Sequence, residues 1–266
     1  MKRQIFSYLA VAVIALLTAL TSCDKNDDPV YTGVKLLDTE TSGLFHSRKY
    51  MYDNKNRMKE IWTYSGGILF EKGVITYTGE DLTKLEYVYI DEEGEFVGVD
   101  TRNYVKNGNT ISYSIGVEII EGEGEGSQSL NHTITLNNDG FPEKLESILI
   151  GYTTIINFTY HNGNQTKMSS VSDFDGTREV SYTYGAYRSP FSDCNTPKWF
   201  MFLFYGDGNH NIVTKSEGKY VDAMGFGGEW PETYEYEFGR DGFPIKIFHG
   251  TGDITEYKYK NEVACE

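Results

Sequence analysis

The chain has 266 residues, with 39 Asp and Glu against 24 Lys and Arg, a formal charge of -15 at pH 7. A chain this acidic repels phosphate backbones and anionic headgroups, which excludes nucleic acid and charged bilayer surfaces as partners. Without an N-terminal leader, it is still long enough for one large all-β domain or two small ones.

Lys2 and Arg3, an apolar run from Ile5 to Leu20 and the small residues before Cys23 form a secretory signal over residues 1–22. The run is short for a bilayer span of about 20 residues. Leu20-Thr21-Ser22-Cys23 resembles the lipobox of bacterial lipoproteins. That resemblance implies that Cys23 is diacylated through its thiol and becomes the first mature residue. Losing Lys2 and Arg3 with the leader takes the charge from -15 to -17.

Residues 23–41 read as a flexible tether, because Asp24-Lys25-Asn26-Asp27-Asp28-Pro29 lacks apolar residues that could pack. An acidic stretch after a lipidated cysteine resembles the surface-export signal of Bacteroidetes lipoproteins. It implies an outward-facing outer-membrane protein, with the periplasmic face as second choice; a solvated linker without directional meaning is the other reading. The membrane contact expected is the lipid anchor alone. With Cys23 committed, Cys194 and Cys265 stand in an oxidising compartment, as a disulfide or as two free thiols.

From residue 42 to 266 one all-β domain is expected. Large residues recur with period two, as in Tyr50 and Tyr52, Trp62 and Tyr64, Tyr182 and Tyr184, and Tyr234, Tyr236 and Phe238. Glu235, Glu237 and Lys258 fall between such residues, so the strands have one wet face. Three stretches share a hairpin plan: Tyr50 to Ile61, Ile134 to Leu145 and Tyr234 to Ile247. Each has a Gly or Asn reversal, where positive φ is tolerated. Pro142 and Pro244 begin strands where the missing N–H does no harm. About 13 or 14 antiparallel strands in a long meander follow from this spacing. A sheet of that size curls or closes, so the expectation is a soluble barrel or strongly curved half-barrel with aromatic side chains inside. A membrane-spanning barrel would need an apolar outer band, which these strands do not supply.

Two stretches break the rhythm. Glu121 to Ser127, EGEGEGS, reads as a mobile loop without the ligand spacing of a calcium site. In Tyr187 to Asn211, Thr196 looks like an N-cap, Pro197 like the first helical residue and Gly206 like the residue past the end. The segment between, Trp199 to Tyr205, is apolar all round. It predicts one short buried helix near 197–205, with a buried strand as the alternative.

The lipobox, the Tyr-rich hairpins and Ser189-Pro190-Phe191 together resemble a lipoprotein family of gut Bacteroidetes. These proteins carry a domain of unknown function described as porin-like. The resemblance runs from about Ser42 to Lys260 and implies a barrel-like fold and an envelope location, with no catalytic residues. Tyr-x-Tyr strands also resemble the Tyr-Asp repeats of secreted shells, but the copies here are too unevenly spaced for a repeat array.

No nucleophile motif or cofactor signature is present, and no cofactor is expected. His46, His132, His161, His210 and His249 are scattered without ligand spacing, so no metal site is expected. Paired carboxylates that could hydrolyse glycans abound, as Glu60, Glu86, Asp207, Glu229 and Glu235, but 39 acids supply such pairs by chance. The leading expectation is therefore a non-enzymatic binding or assembly module for a glycan or an envelope protein. A glycan hydrolase is the alternative. Trp230, next to Gly227-Gly228 and Pro231 in an expected loop, is the first candidate for ligand contact, followed by Trp199 and Tyr205. Trp62 is expected in the core.

Overall fold

A computed structural model of the chain describes residues 33–43, 46–119, 130–149, 152–205 and 207–260. Its strands are β1 (Leu37–Ser42), β2 (His46–Tyr52), β3 (Met58–Ser65), β4 (Ile68–Thr78), β5 (Asp81–Ile90), β6 (Phe96–Asn107), β7 (Thr110–Ile119) and β8 (Leu130–Leu136). They continue as β9 (Pro142–Leu149), β10 (Tyr152–His161), β11 (Asn164–Ser172), β12 (Gly176–Arg188), β13 (Asn211–Val221), β14 (Gly227–Phe238), β15 (Pro244–His249) and β16 (Ile254–Tyr259). Every strand pairs antiparallel with its neighbours in sequence, and β1 closes on β16 from Leu37↔Tyr259 to Ser42↔Thr255. The fold is a closed sixteen-stranded antiparallel barrel.

The expected count of 13 or 14 strands was low, and closure excludes the half-barrel. Residues 37–41, expected in the tether, lie in β1. LDTETS shows little alternation, but Leu37 is fully buried and anchors the strand. The signal segment, Cys23, the rest of the tether, the 121–127 loop and Gly206 lie outside the described residues.

One five-residue reversal recurs at both ends of the barrel. In Asp53–Arg57, Asp91–Glu95, Asn137–Phe141, Asp222–Phe226, Gly239–Phe243 and His249–Asp253, the first N–H donates to the fifth carbonyl and the fourth N–H to the first carbonyl. The fourth residue has positive φ each time, from 61° at Asn56 to 95° at Gly252. This is a type I turn closed by a left-handed residue, the usual three-residue hairpin connection. The side chains of Asp53, Asp91, Asn137 and Asp222 lock it by accepting from the third and fifth N–H groups. The three hairpins expected from sequence are β2–β3, β8–β9 and β14–β15. Gly242→Ala, at φ 75°, is expected to cost about 1–2 kcal/mol, and Gly242→Asn less, measured by urea unfolding.

The tyrosines do backbone work. Tyr52, Tyr77, Tyr160, Tyr184, Tyr236 and Tyr259 each donate to a carbonyl at or near the start of the preceding odd-numbered strand: Leu37, Met58, Pro142, Gln165, Val213 and Pro244. These carbonyls all lie at the end where the odd strands begin, so the latches form a ring. Pairing them removes the penalty of a buried unpaired carbonyl, about 1–3 kcal/mol each. At four of them, Tyr52, Tyr77, Tyr160 and Tyr184, the ladder to the next strand slips by a residue. Such bulges re-aim a side chain.

The same end holds the plug. The chain between β12 and β13 turns back into the bore through α1 (Lys198–Phe200), which runs into a π-helical turn at Met201–Tyr205. Trp199, Phe200, Met201 and Phe202 are buried, with Trp199 against Tyr104 and Phe200, and Phe202 against Phe141 and Tyr160. Burial of this kind contributes roughly 1.5–3 kcal/mol per side chain. The short buried helix is therefore present, but Thr196 does not cap it. The Thr196 hydroxyl accepts from the Met58 N–H at 2.7 Å and the Cys194 thiol at 3.2 Å instead. Asn195 bonds the Asp53–Arg57 turn, and Asn209 accepts from the Gln165 N–H and the Tyr184 hydroxyl. Both ends of the plug are thus tied to strand turns.

The outer wall is charged. Lys167 and Lys219 flank Glu179, Lys72 meets Glu60, and Lys246 meets Glu256 across strands. Exposed pairs stabilise little, but they define a water-facing surface. In hydrocarbon each of these lysines would cost about 2–4 kcal/mol near the midplane. Trp62 lies on this outer face, half-buried, with its N–H on Glu60 and Lys72 over its ring. Its expected core position is corrected: a slip between β2 and β3 at Met51/Tyr52 passes over Lys59, so that Met58, Ile61 and Thr63 face inward and Trp62 faces out.

Candidate functional site

Above the plug the inward face stops being hydrocarbon. β1 to β4 wall a recess of about 450 Å³ lined by Glu40, Ser42, His46, Arg48, Thr63 and Phe70. Period two places Arg48 in line with Tyr50, so the sequence that packs a ring on the plug also turns a guanidinium into the bore. Tyr50 donates to Glu40 at 2.6 Å, and Thr63 to Glu71 at 3.2 Å. Burial pushes the Glu71 carboxyl up, against the pull of the Thr63 hydrogen bond and the Arg48 charge. Below it, Asp207 follows the plug. Burial raises its carboxyl to about 7; Lys198 pulls it back, while the negative charge of Glu40 adds to the push.

Past β5, the adjoining wall is built by β6 to β8 on the same rule. Asp100, Arg102 and Tyr104 are successive inward residues of β6. Arg102 donates to Asp100 at 2.9 Å and lies 5.2 Å from the rings of both Tyr87 and Phe204. Tyr113 stacks on His132 at 4.4 Å, and the His132 Nδ1 lies 2.7 Å from the Ser147 hydroxyl. Burial, with the Arg102 charge, lowers the His132 pKa, so the ring is neutral at pH 7.

Several buried polar atoms here have no hydrogen-bond partner among the described residues: Asp100 Oδ1, Arg102 Nε, Tyr104 OH and His132 Nε2. Asp100 and Tyr104 are 7% and 4% exposed. Tyr104 stands where the latch ring would place another latch, yet its hydroxyl meets no carbonyl. Donors and acceptors buried unpaired cost about 1–3 kcal/mol each, and a partner carrying both kinds of group would recover that.

The residues singled out from sequence are placed differently. Trp230 is not in a loop: it is on β14, facing inward, and its ring covers Gly218 of β13, where an added Cβ would lie 2.2 Å from the indole. Arg178 lies 4.9 Å from the ring, so Trp230 fills a glycine gap in the sheet. Its Gly-Gly-Glu-Trp-Pro context imitated a turn, but Gly227 to Pro231 pair with Val221 to Glu217. Trp199 is buried under Tyr104 and is core. Tyr205 is the one candidate that reaches the chamber. Cys194 is buried against Thr196, while Cys265 lies outside the described residues. Glu40, Arg48, Asp100 and Arg102 were missed. Their signal was phase: Arg48-x-Tyr50-x-Tyr52 and Asp100-x-Arg102-x-Tyr104 put charges on the aromatic face, where a packed core would not have them.

The class the fold defines is a plugged, water-facing, sixteen-stranded antiparallel barrel with a polar chamber. Among solved structures the chain is similar to a porin-like protein from Bacteroides uniformis, at 14% identity over 86% of this chain and 99% of that one, TM-score 0.49. It is also similar to a porin-like protein from Bacteroides vulgatus, at 10% identity over 86% and 100%, TM-score 0.44. No family model matches the sequence, and no curated protein matches it.

Proposed function

We propose that this is a lipid-anchored protein of the bacterial envelope, held by Cys23, that binds a hydroxyl-rich ligand such as a saccharide unit in the chamber. The observation that carries the reading is the group of unpaired donors and acceptors beside tyrosine faces and two arginines. A sugar hydroxyl both donates and accepts, so neighbouring hydroxyls match Arg102 Nε and Asp100 Oδ1. Aromatic rings supply apolar faces for the ring C–H groups. Titration calorimetry of the barrel with a panel of neutral oligosaccharides tests it. A binder is expected whose affinity falls at least about tenfold in Arg48→Ala, since a charged hydrogen bond contributes about 1.5–3 kcal/mol. Arg48 is exposed in the bore, so the variant keeps the fold. For the anchor, Cys23→Ala is expected to move the protein from the membrane to the soluble fraction; retention on the membrane would refute lipidation.

A second reading has one observation in its favour. Asp207 at about 7 near Glu40 resembles the acid and carboxylate of a glycoside hydrolase. Release of product from the bound oligosaccharide, abolished in Asp207→Asn, would support it over simple binding.

A further inference from the structure

The two ends of the barrel treat the same turn in opposite ways. At the plugged end the fifth residue of the recurring reversal folds under the barrel: Phe243 is 1% exposed and Arg57 8%. At the open end the equivalent Phe226 is 69% exposed, and Met224 in the same turn 83%. The neighbouring β11–β12 turn presents Phe174 at 68%, with Tyr152, Val171 and Tyr220 exposed on the strand ends around it. These turns adjoin along the rim, because β9 to β14 are consecutive neighbours in the barrel. The apolar surface is therefore one arc, and single exposed residues elsewhere do not resemble it.

Charge selects among occupants. Every charged residue in the described turns of this end is acidic, as Asp91, Glu93, Asp173, Asp175, Asp222 and Asp253. The nearest cations on the arc are engaged: Lys219 pairs with Glu179, and Arg178 lies over Trp230. An anionic bilayer would be repelled by this rim, and so would a second copy presenting the same acids. An apolar surface interleaved with lysine or arginine would be attracted and would cover the exposed rings.

We infer that this arc of the open rim is a docking face for a partner protein whose matching surface is apolar and basic. The inference is independent of what the chamber binds. A photo-crosslinking residue at position 224, in cells making the full chain, is compared with one at Asn138 in a turn of the plugged end. Position 224 is expected to give an adduct with one protein, identified by mass spectrometry, and position 138 none. The purified partner is then titrated with the barrel. Its affinity is expected to fall at least about tenfold in Phe226→Asp and to weaken as salt is raised. Phe226 is exposed, so the melting temperature of the variant is expected to match that of the wild type. An adduct of twice the mass of this chain would overturn the inference in favour of self-association. Co-sedimentation of the barrel with phosphatidylethanolamine–phosphatidylglycerol vesicles would overturn it in favour of a bilayer. Equal adducts from both positions, or none, would also overturn it.

Discussion

Asp207→Asn is expected to stabilise the barrel above pH 7 by up to about 4 kcal/mol and to leave it little changed at pH 4. The carboxyl moves from an ordinary 3.8 to about 7 in the folded chain, and each tenfold change in proton affinity corresponds to about 1.4 kcal/mol. Between those values the folded protein holds a proton that the unfolded chain has released. Stability therefore falls as pH rises from about 4 to 7 and levels off above. Asparagine stays neutral throughout and keeps an oxygen to accept from the Asn209 N–H and the Ser189 hydroxyl. Glu71 is also raised by burial and adds a slope of the same sign, so the quantity to follow is the difference between variant and wild type. Urea unfolding across this pH range measures it. A difference that does not change with pH would mean that Asp207 is ionised and solvated in the folded protein.

Phe200→Ala is expected to cost about 3–5 kcal/mol. Phe200 is fully buried, with Phe204 at 5.0 Å, Tyr205 at 5.6 Å and Trp199 at 5.8 Å. The plug is tied at both ends and cannot collapse into the space, so most of the cavity should persist. A domain of this size loses about 2–4 °C per kcal/mol, which predicts a melting point lower by roughly 10 °C. A loss below about 1 kcal/mol would mean that the barrel does not depend on its plug.

Much of this architecture could be read from residues. Alternation of Tyr and Phe with Glu, Lys and Thr identified half-buried antiparallel strands, and the Asp-Gly and Asn-Gly pairs located the hairpins. The apolar run at Trp199–Tyr205 could have no place except inside. What failed did so for local reasons. LDTETS has one large apolar residue, and its membership of the barrel depends on pairing with β16, far along the chain. Trp62 faces out because β3 carries an extra residue, Lys59, opposite Met51 and Tyr52, which no periodicity shows. Trp230 stood among Gly and Pro, which signal turns, but the glycine that explains it is Gly218 on the next strand. The chamber was missed because charges in phase with tyrosines were read strand by strand. Only closure shows that Arg48 and Arg102 share one interior. The latch tyrosines and the chamber tyrosines are identical in sequence, and hydrogen bonding alone separates Tyr77, which meets a carbonyl, from Tyr104, which meets none.

The central claim is that the interior above the plug, and not the outer wall, takes the ligand. Tyrosine-selective isotope labelling, with resonances followed by NMR as a saturating oligosaccharide is added, tests it most directly. The ring signals of Tyr50, Tyr87, Tyr104 and Tyr205 are expected to move while that of Tyr64 on the outer face stays fixed. Shifts at Tyr64 with the interior rings unchanged would contradict the account.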